Sequence, residues 1–207
     1  MEQRKTLCVQ ISRGIAPAVA IASTVGACTR HGIDYHLITG KSAADAKNEA
    51  AKMAYKSGRH LVLCEDDFLA ESELWARFAK DHSNTFATSA LMRNGQINVL
   101  YHGDRLVLSG TVCLKVPWEH LELIGSPWFS AHNLSFDEGE WTDNGPNTSG
   151  FHSDTWFFYR CWTCGIIPEV AGFVTHLIHA ANNKLSALNN PDDIKPLGMM
   201  SCSKLVG

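Results

Sequence analysis

The sequence predicts an α/β fold in which a mostly parallel sheet is flanked by helices. Short apolar runs alternate with segments of helical pattern up to residue 64, and this order is typical of β-α-β units. The run at residues 60–64 has almost no polar alternation, as expected for a strand that helices cover on both faces. Hydrophobic residues make up 45% of the 207 and charged residues 19%, so the chain can bury a sizeable core.

The first part of the chain is predicted to alternate strands with helices. Strands are expected at residues 6–12, 34–39 and 60–64, and helices at 16–31 and 42–56. Pro17 suits the first turn of the first helix and Gly32 its end. Ser42 and Asp45 form a capping pattern at the start of the second helix, and Gly58 follows its end. These elements predict three parallel strands joined by helical crossovers.

The rest of the chain is predicted to be mixed and to belong to the same domain, which spans residues 1–207. We expect a helix after Glu71, strands at 85–92, 96–101 and 106–114, a short helix at 117–125, a helix at 154–164 and a strand at 166–174. Residues 126–153 are predicted as a long loop, a kind of segment that is usually functional or mobile. The core covers about 5–180, and 181–207 are expected to form a loosely held tail.

Charge and hydropathy narrow the classes of function. The chain has 18 Lys and Arg against 21 Asp and Glu, for a net charge of −3. This balance argues against a protein that coats duplex DNA by neutralising phosphates. The N-terminal apolar run is too short for a secretory signal, and no stretch reaches the roughly 18 apolar residues of a membrane span. We therefore expect a cytoplasmic protein without a membrane span.

The seven cysteines predict buried thiols rather than a disulfide framework, because their number is odd and most lie in apolar segments. Cys161 and Cys164 form a CxxC pair within a helical pattern that also includes Phe157. Packing of these thiols in the core is the favoured interpretation. Zinc binding or redox chemistry is the alternative.

Three consecutive carboxylates, Glu65, Asp66 and Asp67, follow the third predicted strand. In open parallel sheets, ligands bind outside the carboxyl ends of the strands. Like charges repel there, and a divalent cation that also contacts phosphate would remove the repulsion. The alternative is an acidic turn that caps the next helix.

Two further residues are candidates for chemistry. His176 follows a later apolar run and is either a metal ligand or an ordinary half-buried side chain. Asp154 opens an aromatic helix, where it is either a general base or a carboxylate that the helix dipole favours.

The order of these features resembles the nucleotide-diphospho-sugar glycosyltransferases of GT-A fold. The resemblance covers about residues 5–180, and the matching segments follow in order: Lys47-Asn48-Glu49-Ala50-Ala51, then LVLCEDDF at 61–68, Ser109-Gly110-Thr111-Val112-Cys113-Leu114-Lys115, Ile124-Gly125, Pro127-Trp128-Phe129, Asp154, Gly165 and His176-Leu177. The family has Arg where Lys47 stands, and often Glu-Asp where this chain has Ser153-Asp154.

The resemblance implies a role for each site residue. Asp67 and His176 would bind Mn²⁺ or Mg²⁺, and Asp154 would act on the acceptor. The donor, a nucleotide-diphosphate sugar, would contact Ser12, Arg13, Asn48, Glu65, Asp66, Gly110 and Thr111.

The sequence thus predicts a metal-dependent glycosyltransferase that moves a sugar to a hydroxyl acceptor, with residues 130–153 recognising the acceptor. Inversion and retention at the anomeric carbon both stay open. One alternative is a nucleotidyltransferase or phosphohydrolase that uses the same carboxylates on nucleotide phosphates. The other is a non-catalytic carbohydrate-binding protein that stacks sugars on Trp128, Phe129 and Trp141.

Overall fold

A computed structural model describes residues 4–12, 18–69, 72–90, 96–97, 99–110, 112–146, 153–176 and 195–196. Within these ranges it has a mixed α/β architecture, as predicted. The helices are α1 (Ala18–His31), α2 (Ala43–Lys56), α3 (Ser72–Lys80), α4 (Trp118–Ile124) and α5 (Ser153–Thr163). The strands are β1 (Thr6–Ser12), β2 (Asp34–Thr39), β3 (His60–Cys64), β4 (Phe68–Leu69), β5 (Phe86–Ala90), β6 (Gln96–Ile97), β7 (Val99–His102), β8 (Arg105–Ser109), β9 (Cys113–Val116), β10 (His132–Asp137), β11 (Glu140–Pro146), β12 (Glu169–His176) and β13 (Lys195–Pro196).

Seven of the described strands form one mixed sheet in the order β2-β1-β3-β9-β5-β12-β4. β1 pairs in parallel with β2 and β3, and β12 pairs in parallel with β5. β9 is antiparallel to β3 and β5, and β4 is antiparallel to β12. The sequence predicted a mostly parallel sheet. Among the described strands of this sheet, parallel and antiparallel pairs are instead equal in number. Because of this pairing, β1, β3, β5 and β12 still run in the same direction, and their carboxyl ends lie at one edge.

Helices cover both faces of the sheet, which explains why β3 has no polar alternation. Leu61 and Leu63 pack into a core cluster with residues of α2, α4 and α5. Val62 and Cys64 face the other way and pack with residues of α1 and α3. The burial of all five residues of β3 follows from this layering.

Local sequence signals set the ends of α2 as predicted. The Ser42 hydroxyl accepts a hydrogen bond from the Asp45 backbone N–H at 3.2 Å, which satisfies one of the free donors of the first turn. At the other end Gly58 has a φ of 66°, a conformation that favours glycine. The capping prediction is therefore confirmed.

Three element predictions were wrong. The strand expected at 96–101 is two strands: β6 pairs with β13, and β7 pairs with β8. The strand expected at 106–114 is two strands: β8 pairs with β7, whereas β9 lies in the main sheet between β3 and β5. Gly110 follows the end of β8, in keeping with the tendency of glycine to break strands. The loop expected at 126–153 contains an antiparallel hairpin of β10 and β11, where Phe136 and Trp141 face each other with ring centroids 5.2 Å apart.

The two cysteines of the CxxC pair fit the prediction of core thiols. Cys161 is fully buried, Cys164 is partly exposed, and both are free. Most of the expected tail at 181–207 lies outside the described residues. Among the helices that the structure describes, none combines the length and the hydropathy required to cross a membrane.

Candidate active site

The candidate site lies at the edge of the sheet where β1, β3 and β12 end. Ser12 is the last residue of β1, Cys64 of β3 and His176 of β12. Glu65, Asp66 and Asp67 directly follow β3. The topology therefore brings these predicted residues from distant parts of the chain to one edge, which is where open α/β sheets bind ligands.

A buried lysine links two of the predicted carboxylates. Lys47 lies on α2 and is 2% exposed. Its Nζ lies 3.1 Å from Glu65 Oε1 and donates a hydrogen bond to Asp154 Oδ1. The side chains of Glu65 and Asp154 are only 16% and 28% exposed. One ammonium group thus joins α2, the end of β3 and the first turn of α5.

The charges in this group determine its ionisation. Burial alone would lower the pKa of Lys47, but the carboxylates of Asp154 and Glu65 outweigh it and raise the pKa above its ordinary value. Burial also raises the pKa of Glu65, and the negative charges of Asp154 and Asp67 add to this effect against the opposing charge of Lys47. The group is therefore a charged lysine between two acidic side chains. Glu65 is the carboxylate of the two that binds a proton more readily than an ordinary glutamate.

Asp66 and Asp67 are also buried, at 7% and 6% exposure. Asp67 directly precedes β4, and the first residue of β4, Phe68, is the register partner of His176. Paired residues on antiparallel strands have Cα atoms about 4.5–5.5 Å apart. The backbone of His176 is therefore a close neighbour of the acidic turn, as the sequence predicts, while its side chain lies outside the described residues.

In the part of the chain that the structure describes, no group of three or more His, Cys, Asp and Glu side chains is arranged to hold a metal ion. A bound cation would offset the repulsion among the three carboxylates that the sequence places after β3. Lys47 already provides a positive charge beside Glu65. A metal ion at this site would therefore need Asp67 and the phosphates of a ligand, because Mg²⁺ is usually bound by one or two carboxylates together with phosphate oxygens and water.

The segment after the predicted floor of the donor site reaches the acidic turn. The Glu65 backbone N–H donates to the Val112 carbonyl at 2.9 Å, so Val112, two residues after Gly110, lies beside the first residue of this turn. Thr111 lies outside the described residues. Ser12 is buried at the end of β1, and Arg13, the next residue, is also outside the description.

Asn48 has a structural role that the sequence did not indicate. Its side-chain amide donates to the Phe129 carbonyl and accepts from the Phe129 backbone N–H at 3.1 Å. The amide also donates to the Ala44 carbonyl at 3.1 Å. These bonds fasten the segment after α4 to α2. The predicted contact of Asn48 with a nucleotide stays a prediction.

Two features of the site were missed. Gln10 is fully buried in β1; its amide donates to the Glu65 carbonyl at 3.2 Å, and it accepts from the Tyr35 hydroxyl at 2.8 Å. A glutamine within an apolar strand signals a required hydrogen-bond partner. The second feature is the pairing of Lys47, which shares the inner face of α2 with Ala50, Ala51 and Ala54. A lysine among alanines on a buried face indicates a paired charge.

The β10–β11 hairpin supplies aromatic rings near α5, in the region expected to recognise the acceptor. Phe136 packs edge-to-face on Trp162 at 5.2 Å between centroids, and the ring of His132 lies 4.4 Å from that of Trp156. The Trp156 indole donates to the Pro127 carbonyl at 3.0 Å. The two ring contacts hold the hairpin against the helix that carries Asp154, and the hydrogen bond to Pro127 fixes the segment before the hairpin to the same helix.

Comparison with known proteins shows similarity of fold alone. No protein-family model matches this chain, and no curated protein does. Among solved structures, the crystal structure of A197 from STIV, a viral protein, matches with a TM-score of 0.53 and 15% sequence identity, over 80% of this chain and 81% of that one. At this identity the match shows that the two chains share an α/β arrangement over most of their length.

Proposed function

We propose that this protein is a metal-dependent glycosyltransferase that moves a sugar from a nucleotide-diphosphate donor to a hydroxyl acceptor. One observation carries the proposal: Glu65 and Asp154, which the resemblance assigns to the donor and the acceptor, meet at one Lys47 ammonium on the ligand-binding edge of the sheet. Because one ammonium binds both carboxylates, it would hold the donor side and the acceptor side of a transferase site at a fixed distance and orientation.

The donor side of the proposed site consists of Glu65, Asp66 and Asp67, with Gly110 alongside. Asp67 and His176 would hold Mn²⁺ or Mg²⁺ together with the diphosphate; the backbone register that pairs His176 with Phe68, the residue after Asp67, supports this arrangement. When bound, the cation would neutralise the negative charge that develops on the departing diphosphate. Glu65, held by Lys47, would face the donor sugar or ribose.

The acceptor side of the proposed site depends on Asp154. We expect this carboxylate to accept a hydrogen bond from the attacking hydroxyl and to take its proton as the new bond forms. The sequence places Asp154 at the start of an aromatic helix. The structure gives it the Lys47 ammonium as a neighbour, which fixes the orientation of the carboxylate on α5.

The test is a thermal-shift panel of nucleotide sugars, nucleoside diphosphates and free sugars, each with and without Mn²⁺. A stabilisation that requires both Mn²⁺ and one nucleotide sugar supports the proposal. A shift with free sugar alone supports a carbohydrate-binding protein. Cleavage of the nucleotide phosphates without sugar transfer supports a phosphohydrolase.

Two variants locate the metal within the same panel. Asp67→Ala should abolish the Mn²⁺-dependent shift while leaving the fold intact. His176→Ala should weaken metal affinity by about tenfold or more. Glu122→Ala is a matched control, because Glu122 is exposed on α4, away from this edge. Unchanged donor affinity in Asp67→Ala would contradict the proposed metal site.

A further inference from the structure

Three buried thiols form a row across the sheet, on the face that α1 and α3 cover. Cys8 lies on β1, Cys64 on β3 and Cys113 on β9, and all three are fully buried. The sulfur of Cys64 lies 3.9 Å from that of Cys8 and 3.2 Å from that of Cys113. The proposed glycosyltransferase activity uses none of these thiols.

The strand register favours a covalent bond between Cys64 and Cys113. They are direct partners in the antiparallel pair of β3 and β9. The next pair, Glu65 and Val112, has a backbone hydrogen bond, and such bonded pairs alternate with non-bonded ones along an antiparallel ladder. Cys64 and Cys113 thus occupy a non-bonded position, where Cα atoms are about 4.5 Å apart. A disulfide requires a Cα separation of about 4.4–6.8 Å.

The register of β1 and β3 excludes a bond between Cys64 and Cys8. On the parallel pair of β1 and β3, Cys8 is the partner of Val62, and Cys64 is the partner of Gln10. An offset of two residues along a strand, combined with the spacing between strands, gives a Cα separation of about 8 Å. This exceeds the reach of a disulfide without movement of the backbone.

We propose that Cys64 and Cys113 are a disulfide-forming pair that a small peroxide can close. One thiolate attacks a peroxide oxygen of H₂O₂, which forms a sulfenic acid and leaves one oxygen as water. The second thiol then attacks that sulfur and displaces the sulfenic oxygen as a second water. The two sulfurs lose two electrons and two protons in total, and one H₂O₂ becomes two H₂O.

Burial determines the rate of this reaction. It raises the pKa of the Cys113 thiol, and it raises the pKa of the Cys64 thiol well above the ordinary value. The thiolate is the reactive form, so closure requires a transient opening of the β3–β9 pair and is faster at alkaline pH. A small oxidant such as H₂O₂ enters such an opening more easily than a bulky disulfide.

The bond would act directly beside the candidate site. Cys64 precedes Glu65, and Cys113 follows the segment that contains Gly110 and Val112. A covalent link here would join the acidic turn to its neighbouring segment, in addition to the β3–β9 pairing and the backbone hydrogen bond from Glu65 to Val112. The bond can form whether or not the protein transfers sugars.

The experiment treats the full-length protein with H₂O₂ under native conditions at pH 7 and pH 9. Remaining thiols are alkylated in denaturant, and non-reduced tryptic peptides are analysed by mass spectrometry. Each thiol lies in its own peptide: Cys8 in residues 6–13, Cys64 in 60–77 and Cys113 in 106–115. We expect the last two peptides to be linked, with faster linkage at pH 9. The midpoint of thermal unfolding should rise by about 10 °C, and dithiothreitol should reverse the rise.

Three variants provide the controls. Cys64→Ala and Cys113→Ala should each abolish the linked peptide and the thermal shift, whereas Cys8→Ala should keep both. Linkage of Cys64 to Cys8, or conversion of both thiols to sulfinic acid without any linkage, would overturn the inference. The peptide map of the unmodified chain tests the proposal even if a variant folds poorly.

Discussion

Replacing Lys47 with methionine should destabilise the protein measurably while nearly preserving side-chain volume. The lysine is 2% exposed and is bound to both Glu65 and Asp154. Removing one partner of a buried ion pair costs about 3–5 kcal/mol, because the other charge remains buried. Both carboxylates keep some exposure to water, so we take the lower end, about 3 kcal/mol. For a chain of this size, that loss lowers the unfolding midpoint by about 6–12 °C.

The loss should also depend on pH. Without the ammonium, Glu65 faces the charges of Asp154 and Asp67, and it binds a proton more readily in the folded than in the unfolded state. Lowering the pH from 7 to 5 therefore favours the folded variant, so that its deficit relative to the unmodified protein shrinks. Adding Glu65→Gln to the variant removes one of the repelling charges and should recover part of the stability.

The assay is urea unfolding followed by circular dichroism at pH 7 and pH 5. Lys52→Met is the matched control, because Lys52 is exposed on the same helix, and its effect should stay within about 0.5 kcal/mol. A Lys47→Met variant that unfolds at the same urea concentration as the unmodified protein would refute the reasoning. So would a deficit that is equal at both pH values.

Three other predictions follow from the described contacts. Asp154→Asn keeps the shape of the side chain but removes the proposed base, so the rate of sugar transfer should fall by about two to four orders of magnitude with little change in donor affinity; a near-normal rate would leave this residue a structural role. Asn48→Ala should cost about 1–3 kcal/mol in urea unfolding, because it leaves buried backbone groups without partners; a loss of nucleotide affinity at unchanged stability would instead indicate a ligand contact. Burial, together with the neighbouring His82 and Lys115, lowers the pKa of His60 to about 4. Neutral His60 thus stabilises the fold above pH 6.5, and this contribution is lost as the pH falls towards 4. His60→Gln should therefore flatten the pH dependence of the urea midpoint between pH 6.5 and pH 4.

The sequence predicted the elements that have strong local signals. The bounds of β1, β2 and β3 agree with the predicted ones, and the Ser42 cap forms as expected. The β10–β11 hairpin was missed because its strands are rich in Asn, Asp and Glu, which are depleted in strands. Contacts of its few aromatic residues with α5 stabilise the hairpin. Such contacts cannot be predicted from the local sequence of the two strands.

The sequence could also place the acidic turn and His176 at one edge, because β-α-β order fixes the direction of the strands. It could not reveal that the Lys47 ammonium lies between Glu65 and Asp154, since that depends on how α2 and α5 pack. Nor could it show that Asn48 binds the backbone of Phe129, because both contacts join segments distant in sequence. Tertiary packing determines which side chains contact each other across such distances in sequence.

The pairing of β4 with β12 also sets an order of events during synthesis on the ribosome. β1, β2 and β3 and the helices between them can associate as soon as the first third of the chain has emerged, because all of these elements lie before residue 65. Phe68 must wait for His176, and Lys47 must wait for Asp154. The nascent chain therefore carries Lys47 without Asp154 until α5 is translated, and it carries the residues after the acidic turn without their partner strand until β12 is translated. We expect protection of this edge against proteolysis to appear last.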